Sequence, residues 1–341
     1  MADAGVGMNL RGAAAVLGAA VVVACGHQGA HSTPAAVLPP AAEPRNAPAP
    51  SGTPAGEIVS VAAHLEGVAV DPVTRTIAVA TSDPNQLVLL GADSLTETRR
   101  IDLPGSARHL ELAGPGGPVM VPVETANALV QVRLPDGTAS PPIVTGTFPH
   151  DAAAASNGTV FVGNEHGGTV SALRDGKVVK IFTDSVQPAG LAAFGTTVGM
   201  LDARRNTLTV YDAEKLSVVG STQAGAGPTH LVTDRHGRMI ATDTRGDAIR
   251  VFEPLPAPRQ VASVAQPGGP YGIAYDAVRD ELWVASSGTN EVVCYDMSQS
   301  TPREIRRIAT VQDPYTIGVD SQSGRLFVGG FTAGVIQVVG P

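Results

Sequence analysis

The chain is poor in cysteine, lysine, aromatic residues and charge. Its 341 residues hold two cysteines, Cys25 and Cys294. The first falls at the end of an N-terminal apolar stretch, so the rest of the chain keeps one thiol and no intrachain disulfide can staple it. Cys294 sits inside an apolar strand and reads as a small core residue. Lysine occurs only at Lys177, Lys180 and Lys215, so arginine supplies the rest of the 23 basic residues. Against 31 acidic residues the balance is negative, and no basic run exceeds an arginine pair. That sign excludes nucleic acid as an expected partner. Long apolar runs are missing too: the longest, residues 12–24, is too short to span a membrane as a mature helix. No Gly-x-Ser-x-Gly, His-Glu-x-x-His, Gly-x-x-x-x-Gly-Lys-Ser/Thr or Cys-x-x-Cys-His occurs. Nucleophile-elbow, zincin, P-loop and covalent-haem chemistry therefore have no signature here, and no catalytic cofactor is required.

What is present at the N-terminus is export machinery. Arg11 precedes the apolar run, which has the length of a signal-peptide h-region. It ends in Val22, Val23, Ala24 and Cys25, which resembles the bacterial lipobox. That resemblance implies cleavage before Cys25, lipidation of its thiol and an anchor in the cell membrane on the extracytoplasmic face. Asp3 is out of place in a positive n-region, so Met8 competes with Met1 as the start. Residues 1–24 are thus expected to be a lipoprotein signal peptide, and residues 25–56 the lipidated cysteine and a tether. Pro34, Pro39, Pro40, Pro44, Pro48, Pro50 and Pro54 alternate there with small residues, so no apolar face forms and the segment is expected to stay extended as a spacer. His27 and His31 read as solvated parts of it.

The remaining residues, 57–341, are repetitive. The stretch from Pro270 to Asp296 reads as three short strands, 272–275, 281–285 and 291–295, separated by turn residues. The pattern recurs with inner-strand markers at Val68, Leu110, Ala153, Leu191, Leu231, Ile273 and Ile317, at intervals of 42, 43, 38, 40, 42 and 44 residues. A second and third strand follow each marker, and a weaker fourth precedes the next. Four strands per roughly 40–45 residues is the signature of propeller blades. The expected fold is all-β, a seven-bladed propeller of four-stranded blades. The seventh copy stops after its third strand, while an orphan strand, residues 57–62, precedes the first marker. Pairing that strand into the last blade would close the ring and cover an exposed edge.

Two pieces, Leu282 to Asp296 and Val198 to Asp212, match an aromatic-apolar strand, a polar turn, a second strand and a closing Asp. In this the domain resembles the YVTN/NHL class of seven-bladed propellers and YncE-like bacterial surface lipoproteins, with Trp-Val-Ala-Ser at 283–286 where that family has Tyr-Val-Thr-Asn. The resemblance covers residues 57–341 and implies a fold more than an activity. The two repeats across 106–187 are degenerate.

In up-and-down blades, the loop before each inner strand and the loop between second and third strands emerge on one face. The three residues before each marker run 65–67, 107–109, 150–152, 188–190, 228–230, 270–272 and 314–316. Their prolines and glycines read as fixing entry into the strand. Between these lie the candidate mouth residues Glu66, Arg108, His109, His150, Asp151, His230, Tyr271 and Tyr315, with His64 nearby. The other loops add Glu124, Asn164, Glu165, His166, Asp202, Asp243 and Asp247. Glu124, Asn164, Asp202 and Asp243 form a candidate ligand set for a divalent metal, calcium or zinc, although Asp and Asn also serve β-turns.

Two functions remain open. The preferred one is a non-catalytic binding or scaffold protein of the cell envelope, a monomer holding an envelope protein or a small polar ligand at the channel mouth. The other is a metal-dependent hydrolase resembling lactonase-type propellers, in which carboxylate-held metal would activate water. No catalytic residue is assigned.

Overall fold

Alternation of apolar and small residues bounded by Asp, Asn and Gly turns produces 28 strands. The computed structural model describes residues 37–50 and 52–341, so Cys25, the signal peptide and the first part of the tether lie outside the described residues. Seven antiparallel four-stranded sheets form. Their inner strands are His64–Asp71, Glu111–Leu112, Pro149–Ala154, Pro188–Phe194, Pro228–Thr233, Pro270–Asp276 and Pro314–Asp320, which define blades 1 to 7. Six blades run in chain order from inner to outer strand. In blade 7 the N-terminal strand Glu57–Ser60 supplies the outer edge, with Glu57 opposite Val338 and Ser60 opposite Val335. The expected closure is thus present, and it leaves no blade short of a strand. Blade 2, in the degenerate region, has only two-residue inner and outer strands. Among the described residues no helix is long and apolar enough to cross a membrane.

The core lies between blades rather than at one centre. Leu87, Leu89 and Ala78 of blade 1 pack on Leu110, Val121 and Val123 of blade 2. Phe161 and Phe182 of blade 3 meet Tyr211 of blade 4. Phe327 of blade 7 joins Val68 and Ile77 of blade 1. Trp283 and Cys294 are both buried between blades 6 and 7. Truncating one of these phenylalanines to alanine is worth about 3–5 kcal/mol.

At the base of blades 1, 5, 6 and 7 the inner strand turns into the second through an Asp that caps the turn: Asp71, Asp234, Asp276 and Asp320. Asp71 accepts hydrogen bonds from the Thr74 amide and hydroxyl, Asp276 from the Val278 and Arg279 amides, and Asp320 from the Gln322 amide. Arg75 then links blade 1 to Asp320 of blade 7.

The register corrects the sequence alignment at two places. The last residues of the second strands, read from their pairing with the third, are Thr81, Val123, Asn164, Asp202, Asp243, Ser286 and Gly330. Glu124 is therefore one residue beyond the position of Asp202 and Asp243, and its true counterpart is Glu165 in blade 3. In blade 3 the residue equivalent to Leu191 and Ile273 is Ala152, not Ala153, because Ala152 faces Val162 as Leu191 faces Met200. One residue of slip reverses which face a side chain occupies, so both shifts change the site.

Candidate functional site

At the mouth every described inner-strand pairing outside blade 2 is interrupted by a bulge. The extra residue re-aims the chain, and the corrected register gives equivalent residues Glu66, Arg108, His150, Ala189, Thr229, Tyr271 and Tyr315. The next position holds Gly67, His109, Asp151, Gly190, His230, Gly272 and Thr316. A Cβ on Gly67 would lie 2.3 Å from the Arg108 carbonyl oxygen, and one on Gly190 2.7 Å from that of Thr229. Glycine is there to let the neighbouring blade's backbone approach. Where the position carries a side chain instead, His109, Asp151, His230 and Thr316, that residue lines the mouth.

These residues are in contact as an arc of rings. His64 meets Phe331, Phe331 stacks on Tyr315, Tyr315 meets Tyr271, Tyr271 meets His230, and His230 meets His109 at 4.6 Å between centroids. His109 ends on His150 at 4.3 Å. Blades 2 and 5 are not neighbours, so the His109–His230 contact crosses the channel and divides its mouth. Phe331, which follows the second strand of blade 7 where Glu124 stands in blade 2, carried no signal in the sequence beyond that register.

The larger side is a cavity of about 280 Å³ lined by Glu43, Glu66, Arg108, Glu111, Asp151, His230, Tyr271, Tyr315 and Phe331 among others. A second space of about 270 Å³ continues toward the base past Leu112, Ala154, Thr233 and Tyr275. Enclosure shows in the direction in which the pKa of each group is pushed. Burial, then the charges of His150 and His230, holds His109 well below the usual imidazole range. Burial and His150 lower His230 to about 3. Burial raises Asp151 to about 7, against hydrogen bonds it accepts from the Leu191 and Ala152 amides. Glu111 is pushed well up by burial and by the adjacent Asp151.

On the smaller side His150 sits between two carboxylates. Its Nδ1 is 2.9 Å from Glu124 Oε1 and 3.6 Å from Glu165 Oε2. Burial opposes the imidazolium, yet the Glu124 hydrogen bond and the charges of Glu165, Glu124 and Asp151 outweigh it and raise the His150 pKa. Ser106 and Arg108 also reach Glu124. Among the described residues this is the one group of three or more His, Cys, Asp or Glu side chains with ligand atoms within 4.8 Å of one another.

The other sequence candidates for a metal are not brought into it. Asp202 accepts hydrogen bonds from the Val186, Arg204 and Arg205 amides. Asp243 accepts from the Ala226, Gly227 and Gly246 amides and pairs with Arg250. Both bind their own blade's entry loop to its second-strand turn. Asn164 donates to Thr169 and Ser171.

The second part of the expected spacer also lies here. Residues 38–50 have no regular secondary structure, as their prolines dictate, but they are docked on the propeller. Arg204 of blade 4 donates to the carbonyls of Leu38 and Pro39, and Arg245 of blade 5 to that of Pro40. Arg45 donates to the Thr244 carbonyl, pairs with Asp247 and donates its own amide to Ser287. Tyr315 donates to Asn46, Gln312 to the Ala47 carbonyl and Asn290 to that of Pro48. The segment therefore straps the mouth from blade 4 to blade 7 and places Glu43 over it, on the larger cavity and on the His150 side alike.

No family model matches the sequence, and no curated protein matches it. Solved structures match the fold. A chain of Kuenenia stuttgartiensis hydrazine synthase superposes with TM-score 0.72 at 14% identity, covering 85% of this chain and 99% of that one. A chain of the mitotic checkpoint complex gives TM-score 0.73 at 11% identity, covering 90% and 97%. Virginiamycin B lyase from Staphylococcus aureus gives 0.67 at 14% identity, covering 83% and 98%. These neighbours are enzymes and a regulatory assembly, and at such identities they share the seven-bladed architecture alone.

Proposed function

We propose that the protein is a lipid-anchored, extracytoplasmic propeller, akin to YncE-like lipoproteins, that binds a small polar molecule carrying a positive charge at the channel mouth. One observation carries the reading: the cavity under the strap joins the aromatic faces of Tyr271, Tyr315 and Phe331 to four carboxyl side chains, Glu43, Glu66, Glu111 and Asp151, against the single cation Arg108. Aromatic faces beside carboxyl groups that an incoming positive charge would help ionise are the surroundings that hold organic cations. Nδ1 of His230, buried and without a hydrogen-bond partner, offers a further polar contact. The hydrolase reading is less supported, because Asp202 and Asp243 are spent on backbone amides.

The test is thermal stabilisation of the full chain by choline, putrescine, arginine and neutral sugars at millimolar concentration. Stabilisation by a cation, lost in Tyr271→Ala and Glu66→Gln, supports the reading. If no cation stabilises either the wild type or an Arg45→Ala variant with a loosened strap, the reading fails. Anchoring is tested separately: Cys25→Ser should move the protein from the membrane to the soluble fraction of an expressing bacterium. Unchanged fractionation sinks that part.

A further inference from the structure

We propose that Glu124, His150 and Glu165 form a three-ligand site for one divalent transition ion of the zinc type. The proposal stands apart from what fills the larger cavity. Its basis is geometric. An ion about 2.0–2.2 Å from imidazole nitrogen and carboxylate oxygen needs donor atoms roughly 3 Å apart from one another. His150 Nδ1 stands 2.9 Å from Glu124 Oε1 and 3.6 Å from Glu165 Oε2. All three donors come from rigid positions: Glu124 and Glu165 open equivalent single 3-10 turns, Glu124–Ala126 and Glu165–Gly167, and His150 is a bulged residue of an inner strand.

Two further features point to a ligand rather than a closed ion pair. Glu165 has one oxygen satisfied, Oε1 accepting from Gln187 Nε2 at 2.8 Å, while its Oε2 has only the 3.6 and 3.9 Å approaches of His150 and His166. That oxygen faces the cluster with nothing at hydrogen-bond distance. Beside it is a small cavity of about 20 Å³ whose wall includes His150, Glu165, Ala189, Ala203, Glu43 of the strap and Arg108, which also approaches Glu124. Such a space holds one water. Ala189 and Ala203 create it, since they stand in blade 4 where blade 3 carries His150 and Glu165. Three protein ligands with a water-sized opening are the pattern of zinc sites that keep an exchangeable position, and a mixed nitrogen–oxygen set suits zinc, cobalt or manganese over calcium.

The experiment uses the full chain, stripped with chelator and titrated with zinc by calorimetry and with cobalt by visible absorption. The expected result is one ion per chain, with cobalt bands of low coordination number. Glu165→Gln, which keeps size and leaves the His150–Glu124 pair intact, should weaken binding by at least the roughly 100-fold that marks the upper end for losing an outer partner. Glu124→Gln should do the same, and His27→Gln with His31→Gln should change nothing. No stoichiometric ion in the wild type overturns the proposal. So does equal affinity in Glu165→Gln, or loss of binding in the His27/His31 variant. Circular dichroism identifies a variant that fails to fold, in which case the other glutamate variant decides.

Discussion

At the base of the ring, Asp71, Asp280 and Asp320 have pKa values held below the usual carboxylate range, while at the mouth Asp151 and Glu111 are pushed above it. Both sets experience desolvation. The difference is what answers it. Asp320 has the Ser323 hydroxyl, Arg75 and the Gln322 amide; Asp280 has Tyr275, His236 and Arg235. Glu111 has only another carboxyl beside it. The base spends its charges on holding blades together. The mouth keeps carboxyls whose ionised form the protein itself does not stabilise, which is where a ligand gains most.

The sharpest test of that contrast is Asp320→Ala. It removes the turn cap and the pairing of Arg75 across blades 7 and 1, leaving Arg75 on the exposed Asp93 alone, so it should cost about 1–3 kcal/mol, the range for leaving buried donors without their acceptor. Urea denaturation measures it. A midpoint unchanged from wild type would mean the base carboxylates are ornamental, and the comparison would collapse.

The mouth should respond to pH in two opposite ways. His230 has its folded pKa lowered from 6.5 to about 3. Its neutral form therefore contributes stability that is present above about pH 6.5 and lost as pH falls toward 3. His230→Phe should flatten the acid side of the stability profile relative to wild type. Glu111 is raised, so its contribution is full below the ordinary carboxylate pKa and fades as pH rises. Glu111→Gln should leave the melting temperature unchanged near pH 4 and raise it at pH 8. If Glu111→Gln is no more stable than wild type at pH 8, the carboxyl is better solvated than its position in the channel wall implies.

The propeller was legible because period-two alternation and turn residues are local, and seven copies average out local exceptions. Even the ring closure could be read, from one copy short of a strand and one strand without a copy. The site was harder. Glu66, Arg108, His109, His150, Asp151, His230, Tyr271 and Tyr315 do lie together at the mouth, since each follows from its distance to an inner strand. Their exact partners did not follow, because the weak apolar signal in Ala152, Ala153 and Ala154 hid a one-residue slip. A separate one-residue offset, at the end of the second strand of blade 2, set Glu124 with Asp202 and Asp243 in the candidate ligand set rather than with Glu165. Docking of residues 38–50 was invisible for a different reason. Most of the hydrogen bonds it accepts are at backbone carbonyls, of Leu38, Pro39, Pro40, Ala47 and Pro48, and a carbonyl looks the same in every residue.

That strap yields the smallest expected effect on stability and the most direct one on access. Its anchors include arginines and Tyr315 near the surface: the side chain of Arg45 is 42% exposed and that of its partner Asp247 38%. An exposed pair of this kind is worth about 0–1 kcal/mol, so Arg45→Ala should leave the urea midpoint almost where it was. Limited proteolysis should nevertheless cut residues 38–50 faster, because the pair and the Thr244 hydrogen bond hold the middle of the strap to blade 5. Arg204→Ala should loosen the N-terminal end alone. If neither variant changes the cleavage rate, the carbonyl contacts at Ala47 and Pro48 suffice to hold the segment, and the mouth is closed by blades 6 and 7 rather than by the arginines. If both do, the mouth is gated by contacts each worth little, which lets a ligand displace the strap without disturbing the blades beneath it.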